Sequence, residues 1–106
     1  MKPVYLFALS CTLLMSACAK TTSSTHTLDY ACDSGTRIHV VYPDTQIALV
    51  TYQGIQHRLE SALSASGARY ADEQLVWWSK GSEASLRLYG DDGLNGDILE
   101  QCRQQP

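Results

Sequence analysis

The chain has 106 residues, eight of them lysine or arginine against eleven aspartates and glutamates, and a formal net charge of −3. That length admits one domain and excludes a large multi-domain enzyme. The mild acidity, with no lysine/arginine cluster to neutralise phosphates, argues against nucleic acid as a partner. Hydrophobic residues make up 44% of the whole, but they crowd the first seventeen positions. The remainder reads as a lean soluble domain whose small core would gain from a covalent staple.

Met1-Lys2-Pro3 supplies one positive charge, and residues 4–15 form an apolar run broken only by Ser10, Cys11 and Thr12. A run of about twelve residues is too short for a hydrocarbon core that needs roughly twenty. It fits the apolar region of a secretory signal peptide. The run ends in Leu14-Met15-Ser16-Ala17-Cys18, which resembles the bacterial lipobox, with Met15 standing where leucine is commoner. The resemblance implies a signal peptide over residues 1–17 and lipidation of Cys18 as the mature N-terminus. The alternative is ordinary cleavage near Ala17 or Ala19 and a soluble periplasmic protein. Two or three acyl chains anchor a protein stably where one does not. Ala19, in place of aspartate, resembles lipoproteins sorted to the outer membrane, which would leave the domain facing the periplasm. Residues 18–27 then read as the lipidated cysteine and a Ser/Thr-rich tether. The domain proper is expected over residues 28–106.

Within that domain the apolar residues alternate instead of following a helical period. Over residues 37–42, Ile38, Val40 and Tyr42 share one face, and Pro43-Asp44-Thr45 signals a turn. Residues 47–52 are rich in strand formers and Gln53-Gly54 marks the next reversal. Ile55, His57 and Leu59 then alternate with Gln56, Arg58 and Glu60. Leu75-Val76-Trp77-Trp78 suits a strand covered on both faces, and Ala84, Leu86 and Leu88 alternate with Glu83, Ser85, Arg87 and Tyr89. Residues 90–97 are loop chemistry, and 98–102 can close as a last strand. Residues 61–65 tolerate a helix but are too few to form one. Seven or eight short strands with regular turn signals predict an all-β antiparallel barrel or sandwich. The barrel is preferred, because closure removes exposed edges.

If Cys11 leaves with the leader and Cys18 is lipidated, Cys32 and Cys102 remain, and in an exported protein such a pair defaults to a disulfide. Closing a loop of about seventy residues would constrain the unfolded chain by roughly 4 kcal/mol. A metal site finds no support, since there is no CxxC or HxxxH and His26, His39 and His57 are scattered. Nor is there a GxSxG, HExxH or GxxxxGK[ST] motif. The pairs Asp72-Glu73 and Asp91-Asp92 sit in expected turns, where they cannot face each other across a sugar. No enzyme, cofactor or metal is therefore expected, and a monomer is the default.

One stretch is richer than a generic hairpin: Ser64-Ala65-Ser66-Gly67-Ala68-Arg69-Tyr70, then Trp77-Trp78-Ser79-Lys80-Gly81. With Asp72-Glu73 as the tip, Tyr70 is expected opposite Leu75, and Ser66 opposite Ser79, beside Lys80. This gathers hydroxyls, backbone N–H groups and one ammonium at a point suited to meeting carboxylates. Gly67 and Gly81 would let the backbone leave regular geometry and a partner approach closely. The competing reading makes Ser66 and Lys80 ordinary loop residues and the aromatics core.

At these residues the sequence resembles the membrane-bound and periplasmic inhibitors of c-type lysozyme. The resemblance runs from Tyr30-Ala31-Cys32 through Ser66-Gly67 and Tyr70, Trp77 to Gly81, and Ala84 and Leu86, to Cys102. Ser79 departs from the family's usual threonine, and Arg69 occupies a variable position. The resemblance implies an eight-stranded antiparallel barrel with one disulfide, and a protruding element that enters the lysozyme cleft. Ser66 and Lys80 would reach the two catalytic carboxyl groups, with Gly67 and Gly81 shaping the loops and Tyr70 supporting them or touching the rim. A cell-envelope glycan-binding module, stacking sugars on Trp77 or Trp78, and a purely structural lipoprotein are the alternatives.

Overall fold

The computed structural model describes residues 25–91 and 93–106. The expected leader, the lipidation site Cys18 and most of the expected tether lie outside the described residues. Eight strands run in order: β1 (His26–Cys32), β2 (Arg37–Tyr42), β3 (Ile47–Tyr52), β4 (Ile55–Ala62), β5 (Ala68–Ala71), β6 (Leu75–Lys80), β7 (Glu83–Leu88) and β8 (Ile98–Gln104). Each pairs antiparallel with the next, and β8 returns to β1, so the sheet closes into a barrel without an open edge. β1 begins two residues before the expected domain start, because His26 and Thr27 pair with Tyr42 and Val41.

The turns arise from local chemistry. Asp44 Oδ1 accepts hydrogen bonds from the amides of Gln46 (2.7 Å) and Ile47 (3.1 Å), fixing the β2–β3 connection. Gln53 and Gly54 both take positive φ, 52° and 82°, the geometry that lets a two-residue turn match the twist of its strands. At the β5–β6 tip, Asp72 Oδ1 accepts from the amides of Gln74 and Leu75, each at 2.7 Å.

That carboxylate cap corrects the expected register. It commits residues 72–74 to the turn, so Tyr70 faces Trp77, not Leu75, and Ser79 faces Ala68, not Ser66. The slip is two residues, which keeps every side chain on its expected face. Two strand-end residues depart from the alternation. The pattern places Ile55 and Leu88 on the inward faces of β4 and β7, yet both are exposed. Leu88 lies beyond a register shift at Leu86/Arg87.

The core fills the barrel with Tyr30, Ile38, Val40, Val50, Leu59, Trp77 and Leu86, among others. Trp77 is fully buried; its ring meets Tyr30 edge-on at 5.0 Å, and its indole N–H donates to the Tyr42 hydroxyl at 2.9 Å. Toward one end Glu100 is buried, accepting hydrogen bonds from the Ser34 (2.7 Å) and Tyr52 (2.8 Å) hydroxyls. Cys32 and Cys102 lie directly opposite each other on β1 and β8 and are joined by a disulfide, closing the seam between first and last strands as expected.

Burial, the largest cause for both, pushes the Tyr30 and Tyr42 phenols above the ordinary tyrosine value. The folded state therefore favours their neutral forms. Stability should be insensitive to these groups below about pH 10 and fall above it, as the unfolded phenols ionise first. Denaturant midpoints compared from about pH 8 to about pH 11 should show that fall, and a Tyr42→Phe variant should show less of it.

Candidate functional site

Strand direction assigns the loops to two barrel ends. One end carries the start of β1, the 43–46 turn, the 63–67 loop and the 81–82 turn; the other carries the connections at 33–36, 53–54, 72–74 and 89–97. Ser66, Gly67, Lys80 and Gly81 thus meet at the first end, and all four are exposed.

Gly67 also packs against Lys80, despite the corrected register. Gly67 has φ +68°, and a Cβ added there would collide with the Lys80 side-chain stem and the Ser79 carbonyl. The loop therefore lies flat against the end of β6, where only glycine fits. The Ser66 carbonyl is held from two sides. It accepts the Ser64 hydroxyl and, at 2.9 Å, the Trp78 indole N–H. Gly81, with φ +60° and open space around it, serves the tight 81–82 turn after Lys80.

Tyr70 is placed differently from the other four. It sits inside the barrel, 8% exposed, with its ring 5.5 Å from that of Tyr42. Burial raises its phenol pKa, so it stands beneath the loop as a neutral core residue. Beside it opens a cleft of about 540 Å³ lined by Leu28, Tyr30, Tyr42, Tyr70, Ser79 and Gly81. Three of its wall residues are tyrosines, and it lies at the same barrel end as the loop.

Lys80 points to the outer face with Trp78, two residues before it. The Trp78 ring has Arg69 at 4.0 Å from its centroid, and Lys80 and Arg87 each at 5.2 Å. Among the described residues the ion pairs are His39–Asp29, Arg58–Glu60 and Arg103–Glu83, so none of these three cations is paired with a carboxylate. Glu83, opposite Lys80 across the β6–β7 turn, is engaged by Arg103 at 3.4 Å. The outcome is an uncompensated positive cluster next to exposed hydroxyl and amide donors. Such a surface can receive carboxylates; it holds no nucleophile–base pair and, among the described residues, no group of three metal-type ligands.

The sequence pointed to Ser66, Gly67, Lys80 and Gly81, but not to the cluster around Trp78. The register correction is the missing signal. It sets Arg69 directly opposite Trp78, where the expected register set it opposite Val76. The two tryptophans lie on opposite faces as a period-2 strand requires. Trp77 is inaccessible to a sugar, and the Trp78 ring is covered by guanidinium.

Comparison with known proteins identifies the family to which this barrel belongs. The family model described as membrane-bound lysozyme-inhibitor of c-type lysozyme matches residues 30–95, a range that includes Ser66, Gly67, Tyr70, Trp78, Lys80 and Gly81. A membrane-bound lysozyme inhibitor of C-type lysozyme from Cupriavidus necator is 38% identical over 80 residues, covering 73% of this chain and 64% of that protein. Its namesake from Pseudomonas aeruginosa is 41% identical over 71 residues, 63% of this chain and 54% of that protein. The chain thus spans between 54% and 64% of the length of these two relatives. The namesake from Escherichia coli is 37% identical over 82 residues, 76% of this chain and 70% of that protein. Among solved structures, Pseudomonas aeruginosa MliC, crystallised in complex with hen egg white lysozyme, matches with a TM-score of 0.57 at 27% identity, covering 92% of this chain and 98% of that one. With its model matched over most of the domain, its barrel and its disulfide, the chain belongs to the family of membrane-bound inhibitors of c-type lysozyme.

Proposed function

We propose that this protein inhibits c-type lysozyme by presenting Ser66 and Lys80 to the enzyme's catalytic carboxyl groups. The observation that carries this reading is the packing of the Ser66-Gly67 loop onto Lys80 at one exposed barrel end. A c-type lysozyme works with one carboxyl kept protonated as an acid and a second one ionised beside it. A serine hydroxyl can hydrogen-bond the first and a lysine ammonium can pair with the second, while the loop itself fills the space a sugar needs. Gly67 and Gly81 shape the two loops, and Tyr70 supports them from within the core. The protein performs no chemistry of its own and needs no cofactor.

Charge favours the encounter. Loss of a leader carrying Lys2 changes the formal charge from −3 to −4. An acidic body approaches a basic enzyme faster, while the cationic tip matches the acidic cleft. The relatives' description as membrane-bound and the lipobox at Cys18 support attachment to a membrane. In this reading residues 1–17 are removed, Cys18 carries the lipid, and the domain faces the periplasm from the outer membrane.

Lys80→Ala and Ser66→Ala test the mechanism. Each should weaken inhibition in a c-type lysozyme cell-lysis assay by about 2–5 kcal/mol, roughly thirtyfold or more, because each leaves a desolvated partner group unmatched. Both residues are exposed in the free protein, so thermal stability should change little. A folded double variant with undiminished potency would refute the assignment.

A further inference from the structure

We infer that Trp78 is a positioning residue for inhibition, fixing the Ser66 loop and Lys80 relative to each other before a partner arrives. This rests on the proposed roles of Ser66 and Lys80 and extends them to a residue that itself need not touch the enzyme.

Ser66 and Lys80 lie on separate segments, fourteen positions apart in the chain, and neither β5 nor β6 pairing includes Ser66. Backbone pairing alone therefore leaves the serine unplaced. Trp78 supplies the missing link through two different parts of one side chain. Its indole N–H donates to the Ser66 carbonyl at 2.9 Å, and the Lys80 ammonium lies 5.2 Å from its ring centroid. The loop's fit to this side chain is close. A Cβ on Gly67 would come within 3.0 Å of Trp78 Nε1, so even the smallest side chain would wedge loop and indole apart. An indole has one N–H donor and a broad ring face, and both are in use here.

The neighbours hold the ring in place. Arg69, opposite Trp78 on β5, lies 4.0 Å from the ring centroid, and Arg87 reaches it from β7 at 5.2 Å while donating through Nε to the Ser85 hydroxyl at 3.2 Å. Cation–π attraction to a tryptophan face restrains these side chains, and their positive charges keep Lys80 in a field that favours a carboxylate ligand. A site ordered before binding loses less conformational freedom on docking. Trp78 would accordingly act on affinity without contributing a contact of its own.

The test uses Trp78→Phe, which removes the indole N–H while keeping a smaller aromatic face for the cations, in the wild-type and Ser66→Ala backgrounds. Inhibition of a c-type lysozyme is titrated for all four proteins, and the fold is monitored by circular dichroism and thermal melting. Trp78→Phe should weaken inhibition about tenfold in the wild-type background and less than twofold once Ser66 is alanine, because there is no longer a hydroxyl to position. Equal losses in both backgrounds, or no loss in either, would overturn the inference. If Ser66→Ala by itself leaves inhibition unchanged, the assigned role of Ser66 fails instead, and the two failures are told apart. Should Trp78→Phe unfold, solvent exchange of the Trp78 indole N–H in the native protein decides the matter. Protection at least tenfold over free indole supports the anchored loop, and unprotected exchange contradicts it.

Discussion

Gly67→Ala should be the most destabilising single substitution at the candidate site. Two independent penalties act on it. The residue has φ +68°, a region costly for any residue with a Cβ. The added methyl would also drive into the Lys80 stem and the Ser79 carbonyl, and backbone cannot yield as a flexible side chain can. The loop must lift away from β6, taking Ser66 with it and breaking the hydrogen bond from Trp78. A loss of about 1–3 kcal/mol of stability is expected from the strain, together with at least a tenfold loss of inhibition. Gly81→Ala is the control. It shares a positive φ of 60° but has open space around it, so only the backbone cost of about 1–2 kcal/mol applies. Denaturant unfolding and lysozyme titration of both variants separate the two effects. Equal behaviour of the two alanine variants would show that the packing of Gly67 on Lys80 is unimportant.

Opening the disulfide should have the largest effect on stability. The bond spans a sequence separation of 70 residues and fastens β1 to β8, the strands on which barrel closure depends. Loop-closure entropy for a ring of that size corresponds to roughly 4 kcal/mol, against a total stability of about 5–15 kcal/mol for a typical domain. A Cys32→Ser/Cys102→Ser variant should therefore unfold at much lower denaturant and be partly unfolded near physiological temperature. Reduction of the native protein should produce the same shift. A change below about 1 kcal/mol would mean that strand pairing alone closes the barrel.

The strands were legible because their signal is local. Ile38 lies between Arg37 and His39, Leu59 lies between Arg58 and Glu60, and turn chemistry at Asp44 and Gly54 brackets the strands. The disulfide was legible by elimination among four cysteines. Register was less so, since the Asp72 cap that sets it depends on a side chain choosing two backbone amides over solvent. The cluster of Arg69, Lys80 and Arg87 about Trp78 joins three strands, so it becomes visible only when register is known. Exposure of Ile55 and Leu88 escaped the alternation because a barrel end, unlike its middle, leaves inward positions uncovered. The opening charge count likewise carried little until the fold was in place. The net −3 excluded nucleic acid, but the functional content lies in three cations gathered, without carboxylate partners, about Trp78 on the outer face of an acidic barrel.

The central claim is that the exposed end bearing Ser66 and Lys80 occupies the lysozyme cleft. The most direct measurement is a titration of a c-type lysozyme with the purified protein in the presence of increasing concentrations of a chitooligosaccharide that fills the same cleft. One-to-one, saturable loss of lytic activity that the oligosaccharide relieves competitively is the expected result. Inhibition unaffected by a saturating oligosaccharide, or no inhibition by a folded protein, would contradict it.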